Sequence, residues 1–222
     1  MVGSTFFFTV VGSVGGFIMI YYGIKRLVKF IKSVYAGRQA KNNRYYYNFV
    51  ELSCKWLQQG QKYSAFWTWE LVSKINGLNE MLIGLGYKSV CKFTIKTKNV
   101  RPATNPNQNL EWENYIYEID PNLHKKEKKI IPVEFDGEAY EGKPLPEYIL
   151  FVSECRCDKL LLRVVFDKIP ANDVRFFIRN QIGETIFKEV LNVDIVNNEC
   201  KKEIYYTRPG LAYIIIWENE EK

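Results

Sequence analysis

The second half of the chain is a succession of short apolar runs, each closed by a turn signal. "IIPVEF", "EYILFVSE", "KLLLRVVFD", "DVRFFIR", "ETIFKEV", "KEIYYTR" and "GLAYIIIW" are separated by Asp136-Gly137, Pro144 and Pro146, Pro170-Ala171-Asn172, Ile182-Gly183, Asn197-Asn198 and Pro209-Gly210. Runs of this length, rich in β-branched and aromatic residues and bounded by Gly, Pro and Asn, read as strands of an antiparallel sandwich. Upstream, "VCKFTIKTK" alternates Cys91, Phe93 and Ile95 with Lys92, Thr94 and Lys96, the pattern of a half-buried strand. A proline- and asparagine-rich loop, the strand "ENYIYEI" and the solvated turn "PNLHKKEKK" complete a predicted domain over residues 88–222.

The N-terminal end follows a different rule. Thr5 to Ile24 carries no charge and no proline, and as a helix it would run about 30 Å, the thickness of a bilayer core. Lys25, Arg26, Lys29 and Lys32 follow the run, whereas a cleavable signal carries its positive charge ahead of it. These features predict a single transmembrane helix with a basic juxtamembrane extension over residues 1–35, the bulk remaining on the cytosolic or matrix side. Gly12, Ser13 and Gly16 would offer a helix-packing face, and Lys25, Arg26, Lys29 and Lys32 would meet anionic lipid headgroups.

Residues 36–87 are predicted to be a helical linker region. Tyr46, Phe49, Val50, Cys54 and Leu57 stand near helical spacing up to Gly60. A second helix is predicted from Ser64, with an apolar stripe of Leu71, Val72, Ile75, Leu78 and Leu82, although Asn76-Gly77 could divide it. Phe66, Trp67 and Trp69 read as packing residues. The expected fold class is therefore α+β: a transmembrane helix and a short helical region, then an antiparallel, jelly-roll-like β-sandwich.

Charge narrows the partners. The formal charge is +6, yet residues 1–50 hold seven basic residues and no acidic one, so the remainder has 24 basic against 25 acidic. Basicity belongs to the N-terminal flank, which leaves no basic groove for nucleic acid. Five scattered cysteines and the lack of an Asn-x-Ser/Thr sequon point to a reducing compartment.

Catalytic patterns are thin. His124, the single histidine, sits among lysines and reads as a surface residue. Cys155 and Cys157 form a Cys-x-Cys, but a tetrahedral metal site would need two further ligands from Cys54, Cys91, Cys200 and His124, which have no paired spacing. Ser89-Val-Cys-Lys92 matches Ser-x-x-Lys at the opening of a strand instead of a helix. Glu134, Asp136, Glu138 and Glu141 read as a solvated acidic loop. No GxSxG, Walker loop, GxGxxG or HExxH occurs. The expectation is a non-enzyme with no cofactor and no metal.

The segment "LLLRVVFDKIPANDVRFFIRNQ", followed by a hairpin and "EIYYTRPGLAYIIIWENEE", resembles the GOLD domain, a jelly-roll-like β-sandwich of Golgi-trafficking and lipid-transfer proteins. Phe166, Asp173, Pro209, Gly210, Glu218 and Asn219 occupy the places of that family's aromatic strand, its Asp and its closing Pro-Gly, strand and Glu-Asn turn. The family usually continues with a further strand after that Asn, whereas this sequence stops at Lys222, and its trafficking members carry their anchor at the C-terminus. The resemblance implies a protein-interaction or cargo-adaptor module. The functional expectation is a non-catalytic, single-pass accessory or scaffolding subunit of a membrane complex. Its partners would be other subunits, met through the transmembrane helix and the sandwich. The mitochondrial inner membrane is the first location, the endoplasmic reticulum or Golgi the second. The alternative is a membrane-anchored GOLD-like adaptor for lipid or cargo.

Overall fold

The computed structural model describes residues 44–57, 61–87, 91–103, 112–141, 147–170 and 173–217. Thirteen strands follow one another among them: β1 (Tyr45–Leu57), β2 (Lys62–Ser73), β3 (Leu78–Tyr87), β4 (Cys91–Ile95), β5 (Val100–Pro102), β6 (Trp112–Leu123), β7 (Lys128–Ala139), β8 (Tyr148–Val152), β9 (Cys157–Phe166), β10 (Val174–Asn180), β11 (Thr185–Leu191), β12 (Glu199–Thr207) and β13 (Leu211–Ile216). They form a six-stranded sheet in the order β12-β9-β1-β2-β7-β4, a four-stranded sheet in the order β11-β10-β13-β8, and a three-stranded sheet in the order β3-β6-β5.

The α+β expectation is corrected: the described residues are all-β, and the region predicted to be helical supplies β1, β2 and β3. Period 2 is the true pattern there. Tyr45 and Tyr47 point inward, a bulge at Asn48 shifts the parity, and Val50, Leu52, Cys54 and Trp56 continue on the same side. That one-residue shift is what imitates helical spacing. In β2, Ala65, Trp67, Trp69 and Leu71 alternate inward without interruption, while Phe66 lies on the opposite face and is half exposed. Asn76-Gly77 forms the β2–β3 turn, with Gly77 at φ 75°, the left-handed conformation that glycine adopts without penalty.

The membrane assignment is corrected as well. No helix of the described residues is long and apolar enough to cross a membrane. The reading as a single-pass protein of the mitochondrial inner membrane, or of the endoplasmic reticulum or Golgi, stood on residues 1–35, which lie outside the described residues.

β1 and β9 are a parallel pair in the interior of the six-stranded sheet, with Tyr47 opposite Cys157 and Trp56 opposite Phe166. Every other strand pairing is antiparallel. The inner face of this sheet packs on the inner face of the four-stranded sheet. Trp217, immediately after β13, meets Trp56 edge-to-face at 5.1 Å and Phe166 at 5.4 Å, and Tyr47 meets Phe151 at 6.5 Å. The β2–β3 and β6–β7 connections carry the chain between the large sheet and the three-stranded one, for β2 pairs with β7 and β3 with β6. Their turns lock together: the Lys126 N–H donates to Ser73 O, the Ser73 N–H to Glu127 O and the Lys125 N–H to Asn76 Oδ1.

At the far end of β2, Tyr63 stacks on Trp56 at 5.7 Å and lies directly across the ladder from Gly137. A Cβ at Gly137 would overlap the Tyr63 ring. Gly137→Ala is therefore expected to lower stability by about 1–3 kcal/mol, measured by urea denaturation. In a Tyr63→Ala background the same change should add little, because the clash and the ring disappear together; full additivity in the double-mutant cycle would refute this packing account.

Candidate binding cleft

β8 and β3 are edge strands of different sheets, and they face one another across a cleft of about 260 Å³. Tyr47 and Leu52 of β1 and Trp67 and Trp69 of β2 contribute to its lining. Leu82, Ile83 and Gly84 of β3 form one wall, and Leu150, Phe151 and Val152 of β8 the other, with Asn114 and Glu154 as polar margins.

The register dictates what the walls present. On β8, the Ser153 N–H donates to Leu211 O and the Trp217 N–H to Glu147 O, so Glu147, Ile149, Phe151 and Ser153 spend their main-chain groups on β13. By antiparallel alternation the N–H and C=O groups of Tyr148, Leu150 and Val152 point away from β13, toward the cleft side. β3 obeys the same logic. The Ala103 N–H donates to Asn114 O and the Glu118 N–H to Asn99 O, which commits those β6 residues to the β5 side. Tyr115 and Tyr117 therefore bond to Ile83 and Met81, and the main-chain groups of Leu82 and Gly84 point outward from the sheet. Two rows of main-chain donors and acceptors thus border one apolar hollow.

The aromatic side chains of the lining pack against their neighbours. Trp67 and Trp69 meet edge-to-face at 5.7 Å, and the Tyr47 hydroxyl donates to Met81 Sδ at 3.6 Å. Burial, then the neighbouring Tyr45, pushes the Tyr47 phenol well above its ordinary value, so it stays neutral. Trp67 is 8% exposed, and its buried indole N–H has no hydrogen-bond partner among the described residues.

Sequence reasoning did not find this cleft, because its edges come from pairings between strands far apart in the chain; it named Trp67 and Trp69, but as packing residues. The residues named for helix packing, Gly12, Ser13 and Gly16, and for lipid contact, Lys25, Arg26, Lys29 and Lys32, lie outside the described residues. His124 is exposed in the β6–β7 turn, its backbone N–H donating to Glu127 Oε2 at 2.6 Å. The acidic stretch, expected to be a solvated loop, is corrected in part: Glu134, Asp136 and Glu138 are on β7. Lys96 bridges the first two at 3.1 and 2.9 Å, and Lys62 meets Glu138 at 2.9 Å.

Among the described residues no three His, Cys, Asp or Glu side chains converge to hold a metal. All five cysteines are buried and unbridged. Burial pushes the Cys54 thiol up to about 12, burial and then Cys157 push Cys155 to about 12, and burial raises Cys157 to about 12 and Cys200 to about 11. These four are protonated at neutral pH and are poor nucleophiles.

No protein-family profile matches the chain, and no curated protein matches it. Among solved structures it is similar to an M1 zinc metallopeptidase from Deinococcus radiodurans, at 11% identity and a TM-score of 0.43, over 79% of this chain and 43% of that one. It is similar also to native leukotriene A4 hydrolase from Saccharomyces cerevisiae, at 9% identity and a TM-score of 0.44, over 79% of this chain and 29% of that one. The chain spans less than half the length of either protein, and likenesses this low carry no argument about what it does.

The thiol environment is directly testable. The folded chain should resist modification by a disulfide reagent at pH 8 and release five equivalents once denatured. A thiol that reacts within seconds in the native protein would contradict the burial described above.

Proposed function

We propose that this chain is a non-catalytic accessory or scaffolding subunit of a larger protein assembly, and that it holds a partner by accepting an extended segment between β3 and β8. The observation that carries the reading is the pair of outward-facing main-chain rows, at Leu82 and Gly84 on one side and Leu150 and Val152 on the other. An added strand satisfies such rows with main-chain bonds, while alternate side chains enter the hollow lined by Trp67 and Trp69. Between two edges, one strand can bond on both sides and join the three- and four-stranded sheets.

Chemistry in the lining favours binding over catalysis. Its polar members are Tyr47, Asn114, Glu154 and the Trp67 indole, which form no nucleophile–base pair. The volume of about 260 Å³ lies just under the range usual for small-molecule sites and suits a few side chains of a strand. The GOLD-like pattern of residues 160–219 implies a module of the same interaction class.

Leu150→Pro removes an N–H from the cleft row without touching a β13 hydrogen bond, and Leu82→Lys places a charge at the mouth on a side chain already 46% exposed. With the full-length chain purified from its native source, a stoichiometric partner should be recovered with the wild type. Recovery should fall about tenfold with either variant, the loss of about 1.4 kcal/mol. Unfolding midpoints verify that the variants remain folded, and Leu82→Lys stands alone if Leu150→Pro does not. A wild-type chain that purifies as a partner-free monomer, or equal recovery with folded variants, overturns the proposal.

A further inference from the structure

The four-stranded sheet is apolar on both faces, and no described strand layer covers the outer one, where Ile214 is 8% exposed while Val152, Lys188 and Val190 are exposed. Its inner residues, Ile149, Phe151, Phe176, Tyr213 and Ile215, are buried toward the six-stranded sheet. On the other face Leu150, Ile214, Phe177 and Lys188 form one row across the strands, flanked by Ile216 and Val190 on one side and Val152 on the other. Antiparallel sheets that meet water on one side normally alternate apolar with polar residues; "LAYIII" in β13 does not. A sheet face of this composition calls for a covering layer.

The charges on the face define that layer. Arg175, Arg179 and Lys188 all point to it, and the Arg179 guanidinium and Lys188 ammonium sit over the Phe177 ring at 5.1 and 5.7 Å. The four strands place no acidic side chain there; Glu189, the one carboxylate among them, faces the other way and pairs with Lys202. Among the described residues none of the three cations has a carboxylate partner, and the buried Arg179 Nε lacks any hydrogen-bond acceptor.

We infer that this face is the docking surface for an amphipathic helix of a partner protein that carries acidic residues beside its apolar stripe. Four strands spaced about 4.8 Å apart and five residues deep make a platform of roughly 19 by 17 Å, matched by three to four helical turns. A second copy of this chain would bring three cations against three. Residues 1–24 carry no side-chain charge and residues 25–44 only basic ones, so neither brings a carboxylate to the three cations, and residues 218–222, "ENEEK", have no apolar side chain. An anionic bilayer is a poorer match than a helix, since surface-binding elements hold their cations at the rim, where they reach headgroups. Here two cations are clamped over Phe177 in the middle of the face. The inference concerns a surface other than the cleft and stands whether or not the cleft takes a strand.

The test titrates the full-length protein with a fluorescein-labelled amphipathic peptide of about 18 residues, ~27 Å as a helix, with a leucine stripe flanked by glutamates. A second peptide has lysine for each glutamate. The glutamate peptide is expected to bind at least about tenfold more tightly, to weaken as salt is raised, and to lose that preference against Arg179→Glu/Lys188→Glu. Lys188→Glu alone serves if the double variant does not fold, since Lys188 is exposed. Equal binding of both peptides, binding of neither, or an unchanged preference in the folded variant overturns the inference. So does flotation of the wild type, but not the variant, with phosphatidylserine vesicles while the glutamate peptide fails to bind.

Discussion

β1 is hydrogen-bonded along both edges, to β2 through most of its length and to β9 from Tyr47 to Trp56. A strand hydrogen-bonded on both sides leaves few main-chain groups to water, so its register must be met by both neighbours at once. β2 supplies its side through a local hairpin. β9 arrives after some hundred residues of chain and must run parallel, which requires the hairpins, the three-stranded sheet and the loops between to be accommodated elsewhere. The three-stranded sheet is the outcome: β3 and β6 peel away from β2 and β7 and pair with each other, and the interlocked turns at Ser73 and Lys126 hold the branch.

The aromatic contacts at the two ends of β1 fix the second layer. Trp56 receives Trp217 edge-to-face and Tyr47 receives Phe151, so β13 and β8 are pinned across the core at opposite ends of one strand. Aromatic pairs of this geometry add about 0.5–1.5 kcal/mol each beyond the area they bury, and they are directional where aliphatic packing is not. The cleft follows from this anchoring. β8 is held over β1 and β3 diverges from β2, and the space between the two diverging edges is not filled by any described strand.

Legibility in the sequence tracked how local the determining interaction was. β4, β6 and β9 to β13 were readable because each run is apolar and bounded by its own turn residues. β1 failed because one bulge at Asn48 disguised period 2 as a helical spacing, and β2 because Val72 follows Leu71 without alternation and Ile75 carries the apolar stripe past the strand end into the turn. The Asn76-Gly77 pair was visible as a possible division of the predicted helix, and in the structure it is the turn that separates β2 from β3. The cleft could not be read at all, since no residue type marks a main-chain group whose neighbour is missing. The outer face of the four-stranded sheet was half legible: "DVRFFIR" and "GLAYIIIW" lack alternation in plain sight, yet only the register places Arg175, Arg179 and Lys188 together.

Open strand edges also bear on the chain before it meets anything. β8 is short and β3 carries Glu80 and the kinking pair Gly84 and Gly86, features that weaken pairing with like strands. The six-stranded sheet ends on one side in β12, whose outer positions Lys201, Glu203 and Tyr205 are charged or aromatic and exposed. The chain is therefore shielded from edge-to-edge pairing with its own copies by short length and irregularity at β8 and β3, and by charge at β12.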